Sequence, residues 1–448
     1  MSDSLRGHAE ALLDAATRAG AEAADVLVSE GSSLSIDVRA GALEQAERAE
    51  GVEIGLRVLL GQRQACVSAS DTAPRTLEEM ARRAVAMARE APEDPYVGLA
   101  EPEQLAREWD IAALDLMDPE PDPAPATLQE RALAAEAAAL AVEGVSQVQS
   151  ASAAAGWRAV ELAASNGFRG GYGRSSRIVS CVAITGEGSG MEREYHFEGR
   201  THWADMPDAA EIGHIAGERA ATRANPRRPR TGAWPVIYDE RIAGSLIGHL
   251  LAAINGTAIA RGASWLRDAL GEQVLPEGLS LIEEPHRARI SGSRPFDAEG
   301  LATARREIVT GGRLEGWVLD LTTARKLGMQ STANAQRSTA APPSPGTSNV
   351  TLTPGTLSRD ALLRETGTGL LVTSMLGASI NPTTGDYSRG ASGFWIENGE
   401  IAWPVNECTI AGNLRDMLLR LTPADDARPH LSMQVPSLRV EGLVIAGE

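Results

Sequence analysis

Lysine is nearly absent from this 448-residue sequence: Lys326 is the only one, and arginine carries almost all of the positive charge. A phosphate-binding P-loop needs a lysine at the end of its glycine-rich loop, and no GxxxxGK motif precedes Lys326. Schiff-base chemistry would depend on the same single residue. The sequence therefore argues against both P-loop nucleotide binding and lysine-based covalent catalysis.

Cysteines and long apolar segments are also scarce. Cys66, Cys181 and Cys408 are far apart and odd in number, so no disulfide framework is indicated. The N-terminal segment has no apolar core of the signal-peptide type, and no apolar run reaches the length of a membrane-spanning helix. Aromatic residues make up only 4 % of the chain, so aliphatic side chains must fill most of the interior. We expect a reduced, cytoplasmic protein with no membrane partner.

Positive charge is outweighed throughout, and the formal net charge is −18. Such a surface repels phosphate backbones, and RRPR at Arg227 to Arg230 is the one basic cluster that stands out. We therefore predict no nucleic-acid partner and interpret this cluster as a solvated linker.

Both helical and strand periodicities occur along the chain. Apolar residues recur at helical spacing from Leu5 to Ala16, whereas Val52 to Leu60 alternates strictly and predicts a half-buried antiparallel strand. Asn166-Gly167, Gly311-Gly312 and Asn398-Gly399 are typical hairpin turns, because these residues tolerate positive φ. Helices and hairpins do not alternate as βαβ units, so the pattern predicts an α+β fold with antiparallel or mixed sheets.

Two proline-rich stretches suggest how the chain is divided. MDPEPDPAPAT, residues 117–127, is predicted to be a surface linker inside an N-terminal α+β domain of residues 1–224. ANPRRPRTGAWP is predicted to separate that domain from a β-rich α+β domain at 235–448.

Several residue groups could in principle carry chemistry, and each has a simpler structural interpretation. His196 and His202 could share one strand face, but no carboxylate is fixed beside them. Glu283 and Glu284 with His286 are interpreted as a solvated acidic turn rather than an acid/base pair. The glycines around residues 186–190 and 367–369 lack the rest of any phosphate-binding fingerprint.

The stretch GSLIGHLLAAING, residues 244–256, contains the most informative histidine. A hydrolytic zinc helix needs two ligands on one face with a carboxylate beside the first, and no histidine in this chain is directly followed by glutamate. His249 stands among apolar residues, with Gly244 and Ser245 one turn earlier. Taken alone, this pattern favours a packed core or interface histidine over a metal ligand.

Five stretches together resemble the TldD/PmbA family, and in particular its TldE (PmbA) branch. They cover nearly the whole chain: EGVEIGLRVLLGQRQACVSASD, IAGSLIGHLLAAINGTAIARGASWLRD, SRPFDAEGLATARREIVTGGRLEGWVLDLTTARKLGMQSTANAQR, SGFWIENGEIAWPVNECTIAGNLRDM and PSLRVEGLVIAG. The resemblance implies a cytoplasmic, heterodimeric metallopeptidase that acts on small unstructured peptides, including leader peptides. Its TldD-type subunit holds zinc through HExxxH and a later cysteine, with the glutamate as general base, and its TldE-type subunit lacks that centre.

Carried over residue by residue, the first zinc ligand falls on Gly244, the base on Ser245 and the second ligand on His249. The segment that matches the zinc-binding cysteine, LTPADDARPHLSMQ at 421–434, contains no cysteine. The resemblance therefore implies a chain with no catalytic residue and no metal of its own, and zinc in a TldD-type partner subunit.

Two other classes of function stay open at this stage. An independent hydrolase could use Cys408, or Asp425 and Asp426 with His430, and the family's older description suggests a regulator of DNA gyrase. Cys408 is more simply a small buried core thiol.

A partner subunit could capture an extended peptide by adding a strand to a sheet edge. Gly390, Gly393, Phe394 and Trp395, in the hairpin that ends near Val405, are the predicted groove or interface residues, and a plain core hairpin is the alternative.

Overall fold

The computed structural model describes residues 3–447, and its mixture of helices with antiparallel and mixed sheets confirms the predicted α+β class. The helices in this part of the chain are α1 (Asp3–Ala19), α2 (Pro74–Glu90), α3 (Ile111–Leu114), α4 (Pro125–Leu140), α5 (Ala209–Ala221), α6 (Glu240–Ala253), α7 (Gly256–Ala260), α8 (Leu321–Leu327), α9 (Arg359–Thr366) and α10 (Leu414–Leu419). Its strands are β1 (Ala23–Arg39), β2 (Ala42–Leu60), β3 (Arg63–Ala69), β4 (Val145–Ala164), β5 (Arg169–Thr185), β6 (Glu192–Arg200), β7 (Gly232–Tyr238), β8 (Leu281–Glu283), β9 (Arg306–Thr310), β10 (Arg313–Leu314), β11 (Ala335–Gln336), β12 (Ser344–Pro345), β13 (Val350–Leu352), β14 (Gly369–Ile380), β15 (Asp386–Glu397), β16 (Glu400–Asn413), β17 (Leu421–Pro423), β18 (Met433–Gln434) and β19 (Leu438–Ala446).

One antiparallel six-stranded sheet, in the order β3-β2-β1-β4-β5-β6, organises the first half of the chain. Side chains alternate across a strand, so the even-numbered residues Val26, Val28, Ile36 and Val38 of β1 lie on one face. The first two pack in a core with α1 and α2, and the other two pack in a second core with α4 and α5. Two helix pairs therefore cover one face of the sheet, side by side along its strands.

β2 is longer than its sequence pattern predicts. Alternation is clear from Val52 onward, whereas residues 42–51 are rich in charged residues and all solvent-exposed. That first half is nevertheless hydrogen-bonded to β1 as far as Ala42, which pairs with Arg39. Cross-strand pairing, rather than burial of an apolar face, extends this strand.

The two stretches predicted to be linkers overlap the elements that follow them: residues 125–127 begin α4, and residues 232–235 belong to β7. In the stretch 117–127, Asp118 accepts hydrogen bonds from Arg177 Nε at 3.1 Å and from the backbone N–H of Trp203 at 3.0 Å. The second stretch connects α5 to β7. The domain boundaries themselves stay predictions.

A five-stranded barrel forms the centre of the second half. The strands follow the order β16-β15-β14-β7-β19, and β16 also pairs with β19, which closes the sheet on itself. β7 and β14 run parallel, and the other pairs are antiparallel. Val236 and Tyr238 of β7 contribute to the main core, whereas Ile237 packs outside it against α9.

Helix α6 begins directly after β7. Asp239 caps it, since its carboxylate accepts a hydrogen bond from the backbone N–H of Arg241. Leu246, Ile247 and Leu250 are fully buried in the core that includes the barrel strands. This packing fixes which side of α6 is left for a cleft.

Candidate functional site

The predicted helix around His249 is present as α6, and Gly244 and Ser245 lie on its side facing a cleft of about 590 Å³. Met375 and Arg389, from β14 and β15, line the same cleft. The other walls of the cleft come from Tyr195 of β6, Ser291 and residues 431–433, the last of which begins β18.

A methionine occupies the space in front of Gly244. A Cβ atom added to this glycine would lie 3.2 Å from Sδ of Met433. Ser245 Oγ lies 3.9 Å from Sδ of Met375. The two positions that correspond to a ligand and a base in HExxxH therefore face thioether sulfurs, which are weak hydrogen-bond acceptors and soft metal ligands that do not suit a catalytic zinc ion.

His249 is partly buried and packs edge-on against Tyr387, with ring centroids 5.9 Å apart and planes at 72°. Its Nε2 atom is buried and has no hydrogen-bond partner among residues 3–447. Burial lowers the pKa of this imidazole, and the nearby Arg389 guanidinium lowers it further. His249 is thus a neutral ring in a tight, partly apolar setting.

These residues do not fit a catalytic zinc ion. Such an ion takes about three nitrogen, thiolate or carboxylate ligands from the protein. In the part of the chain that the structure describes, no three His, Cys, Asp or Glu side chains are grouped so that they could hold a metal. Gly244 offers no ligand atom, Ser245 offers only a hydroxyl, and His249 is not among the residues that line the cleft, so no catalytic step through zinc can be assigned to this chain.

The segment 421–434, predicted to match the zinc-binding cysteine segment, comprises β17, a loop and β18. Leu431, Ser432 and Met433 of this segment line the cleft, and the sequence alone did not single out any of them. Asp426 accepts hydrogen bonds from the backbone N–H and hydroxyl of Ser437, at 2.7 and 2.6 Å. His430 Nε2 instead lies 3.2 Å from Glu198. Asp426 and His430 therefore have different partners and form no acid/base pair.

Cys408 is a core thiol, as the sequence interpretation suggested. Its side chain is buried, and Sγ donates a hydrogen bond to the backbone carbonyl of Ala391 at 3.2 Å. Burial raises the pKa of this thiol to about 11. The reactive thiolate would be rare at neutral pH, which is unfavourable for a nucleophile.

The two histidines near β6 take separate partners. His196 Nε2 lies 3.3 Å from Glu198, and His202 Nε2 lies 3.4 Å from Asp115. The structure therefore does not bring His196 and His202 together as a ligand pair.

The interpretation of Glu283 as part of a solvated turn is wrong. Glu283 lies on β8 and is buried, and it accepts hydrogen bonds from Arg306 at 2.9 Å and from Asn334 and Ser348. Burial by itself would raise the pKa of this carboxyl, but Arg306 and the hydrogen bonds from Ser348 and Asn334 together lower it below its usual value. A charge that looked solvated is stabilised inside the protein by an arginine distant in sequence.

The predicted groove residues lie in the middle of the barrel wall. β15 pairs with β14 on one side and β16 on the other, so its backbone is not a free edge. Trp395 is fully buried between Trp234 and Trp403. At Gly393, an added Cβ would lie 1.8 Å from the carbonyl oxygen of Leu371. These positions serve close packing, and strand addition at β15 is excluded.

The other two predicted groove residues, Phe394 and Gly390, have different surroundings. Phe394 is partly buried and lines a separate cavity of about 340 Å³ near Arg219 and Arg241. Gly390 faces Leu376 of β14, where an added Cβ would lie 3.3 Å from the carbonyl oxygen. Their role in an interface stays a prediction.

The basic run at 227–230 is largely paired within the chain. Arg228 lies 2.7 Å from Glu407, and Arg230 lies 3.5 Å from Glu397. Arg227 is placed over the ring of Trp403, 5.9 Å from its centroid. This run packs on the barrel instead of presenting an isolated basic patch.

Three family models of the PmbA/TldA metallopeptidase match the chain: domain 1 at residues 24–88, the central domain at 118–224 and the C-terminal domain at 231–447. The chain belongs to the PmbA/TldD metallopeptidase family. It is 34 % identical to the metalloprotease PmbA of Escherichia coli O157:H7, over 95 % of this chain and 93 % of that one. It is 36 % identical to the PmbA homologue of Haemophilus influenzae, over 99 % and 96 %. These relatives support the predicted PmbA (TldE) branch.

Solved structures agree with this assignment. A putative modulator of DNA gyrase from Bacteroides thetaiotaomicron superposes with a TM-score of 0.91 at 28 % identity and covers both chains fully. TldE from Thermococcus kodakarensis has the same fold, with a TM-score of 0.85 at 21 % identity over 98 % of this chain and all of that one. Within residues 3–447, no helix is long and apolar enough to cross a membrane.

Proposed function

We propose that this chain is the non-catalytic, TldE-type subunit of a cytoplasmic heterodimeric metallopeptidase, with zinc held by a TldD-type partner. The observation that carries the proposal is the pair of methionines at the degenerate centre: Met433 lies in front of Gly244 and Met375 beside Ser245, so neither position faces a usual zinc ligand. Small unstructured peptides, including leader peptides, are the proposed substrates.

A subunit without chemistry can still bind substrate, and β6 is suited to that task. β6 lies at the edge of the six-stranded sheet and pairs only with β5 among the described strands. Tyr195 of β6 lines the cleft beside α6, and it stacks with Phe197 on an exposed face. An extended peptide added to this edge would gain main-chain hydrogen bonds and reach the cleft with little sequence preference.

Neither alternative class of function has a specific observation in its favour. A hydrolase that used Cys408 would need an accessible thiolate, and this thiol is buried with a raised pKa. A DNA-directed regulator would need free positive charge, and the basic run is engaged with Glu407 and Glu397.

Reconstitution tests the proposal. The purified chain and a tagged TldD-type chain should co-purify, and a peptide should be cleaved only by the mixture. Cleavage should stop when the glutamate in the partner's HExxxH is replaced by glutamine, while the complex still forms. Chelator-sensitive cleavage by this chain alone would contradict the proposal.

A further inference from the structure

A second cavity, of about 470 Å³, lies between the two halves of the chain, away from Gly244 and Ser245. One wall is the face of the N-terminal sheet opposite its helices, where Leu27 and Val160 are exposed to the cavity. The other wall consists of residues 292–298 and 335–337. Its volume is within the range of about 300–1,000 Å³ that is usual for small-ligand sites.

Two arginines with no carboxylate partner lie opposite each other in the sheet wall. Arg158 of β4 and Arg174 of β5 are direct cross-strand partners. Arg158 Nε donates to Ser29 Oγ at 2.7 Å, and Arg174 donates to backbone carbonyls, including that of Ser293 at 3.2 Å. Within residues 3–447, neither has an acidic side chain at ion-pair distance. Like charges directly opposite each other destabilise a sheet, so an anion between them would be favourable.

Two further guanidinium groups lie in the opposite wall and have unused donors. Arg294 is only 7 % exposed, and it donates to the carbonyls of Ala335 and Gly346 while its Nε has no partner in the described chain. Arg337 is bound through one nitrogen to buried Asp25, and its Nε and other terminal nitrogen have no partner there. Buried N–H groups without acceptors are costly, and a ligand oxygen would remove that cost.

Asp297, the acidic side chain among the residues that line this cavity, offsets only part of the charge of the four arginines, and Arg294 is the one that acts on it electrostatically. Asp297 accepts hydrogen bonds from the backbone N–H groups of Glu299, Leu301 and Ala335, at 2.9, 3.0 and 3.1 Å. Its two oxygens are thus used to hold the loop. The cavity is therefore cationic, in a chain whose formal net charge is −18.

We propose that this cavity binds the C-terminal carboxylate of an extended peptide that ends in an apolar residue. Arginine forks pair with carboxylates through two parallel hydrogen bonds. Leu27, Val160 and Phe296 provide an apolar wall for the last side chain, which an inorganic anion would not use. The proposal rests on the proposed function, since it takes peptides to be the substrate class.

Calorimetric binding to the purified full-length chain tests the proposal without the partner or any cleavage. The probes are acetyl-Ala-Ala-Leu with a free carboxylate, the same peptide as its C-terminal amide, and acetyl-Ala-Glu-Leu-amide. We expect the free acid to bind at least about tenfold more tightly than either amide, a difference of about 1.4 kcal/mol. Added salt should weaken its binding.

Variants assign that binding to the cavity. Arg174→Gln and Arg294→Gln should each weaken binding of the free acid at least about tenfold. Arg267→Gln, at an exposed arginine paired with Asp268, should leave it unchanged. Melting curves identify variants that fold, and the partly exposed Arg174 supplies the decisive comparison if Arg294→Gln does not fold.

Four results would overturn the proposal. Equal binding of the free acid and its amide would exclude carboxylate recognition, as would no binding of the acid at millimolar concentrations. Tight binding of the glutamate-containing amide would exclude the C-terminal assignment. Competition by inorganic phosphate at concentrations below those of the peptide would favour a phosphate ligand. None of these results bears on whether peptides are cleaved when the partner subunit is added, so failure of the carboxylate proposal is distinguishable from failure of the proposed function.

Discussion

Replacement of His249 by alanine tests whether this side chain has a chemical or a packing role. The lost interactions are the edge-on contact with Tyr387 and the burial of the ring, and no hydrogen bond to Nε2 is lost within residues 3–447. An aromatic pair contributes about 0.5–1.5 kcal/mol, and the higher helix propensity of alanine offsets part of that. With the buried ring counted as well, we expect a loss of about 1–3 kcal/mol of unfolding free energy, measured as a lower midpoint of urea denaturation.

The pH dependence of that loss gives a second, independent signature. The pKa of His249 is lower in the folded protein than its usual value of about 6.5, so the unfolded chain takes up the proton first as the pH falls. The wild-type free energy of unfolding should therefore decline below about pH 6.5, and His249→Ala removes this contribution. The deficit of the variant should be smaller at pH 5.5 than at pH 7.5 in urea denaturation.

The assay that decides the role uses the assembled complex. With His249→Ala in this chain, we expect an unchanged zinc content and a kcat within about tenfold of the parent, or about 1.4 kcal/mol in barrier. His249→Phe is the matched control, because it keeps a ring against Tyr387 and should lose less stability. If the complex forms normally but zinc or activity disappears, His249 acts at the reaction centre and our interpretation of α6 is wrong.

Two further predictions concern stability. Gly393→Ala should cost about 3 kcal/mol or more in urea denaturation, because its Cβ would lie 1.8 Å from the Leu371 carbonyl oxygen. Gly248→Ala in α6 is the control: its Cβ would have no atom within 4 Å, so the variant should be more stable by about 0.5–1 kcal/mol. Equal effects of the two variants on stability would contradict this packing. Burial raises the pKa of Glu299, and the negative charges of Asp297 and Asp320 raise it further. As the pH rises above about 4.3, this carboxyl ionises in the unfolded chain before it ionises in the folded protein, so the free energy of unfolding should fall. Glu299→Gln should therefore gain stability relative to the parent between pH 4 and pH 8, and a constant difference would refute the buried, protonated carboxyl.

Local patterns predicted local structure well. The spacing in α6, the alternation after Val52 and the two-residue turn at Asn398-Gly399 all correspond to observed elements, and both turn residues have positive φ. These features depend on neighbouring residues, which a sequence displays directly. The strand at residues 42–51 was not predicted, because its conformation comes from pairing with β1 rather than from the periodicity of its own residues.

Most of the candidate site could not be predicted, since it depends on contacts between distant segments. Met433 faces Gly244 from the far end of the chain, and no spacing rule connects them. Arg158 and Arg174 become neighbours only through the register of β4 with β5, and Arg294 reaches the same cavity from another half of the molecule. The sequence indicated which ligands are missing, whereas the fold was needed to identify what replaces them.

Zinc content measured alongside cleavage is the most direct test of the central claim. Three samples prepared without chelator would be compared: this chain alone, the TldD-type chain alone and their complex. Each would be analysed for zinc per chain and for peptide cleavage. We predict far less than about one zinc per chain in this chain alone, about one zinc per heterodimer, and cleavage only by the heterodimer. About one zinc bound to this chain alone, lost in His249→Ala, would contradict it.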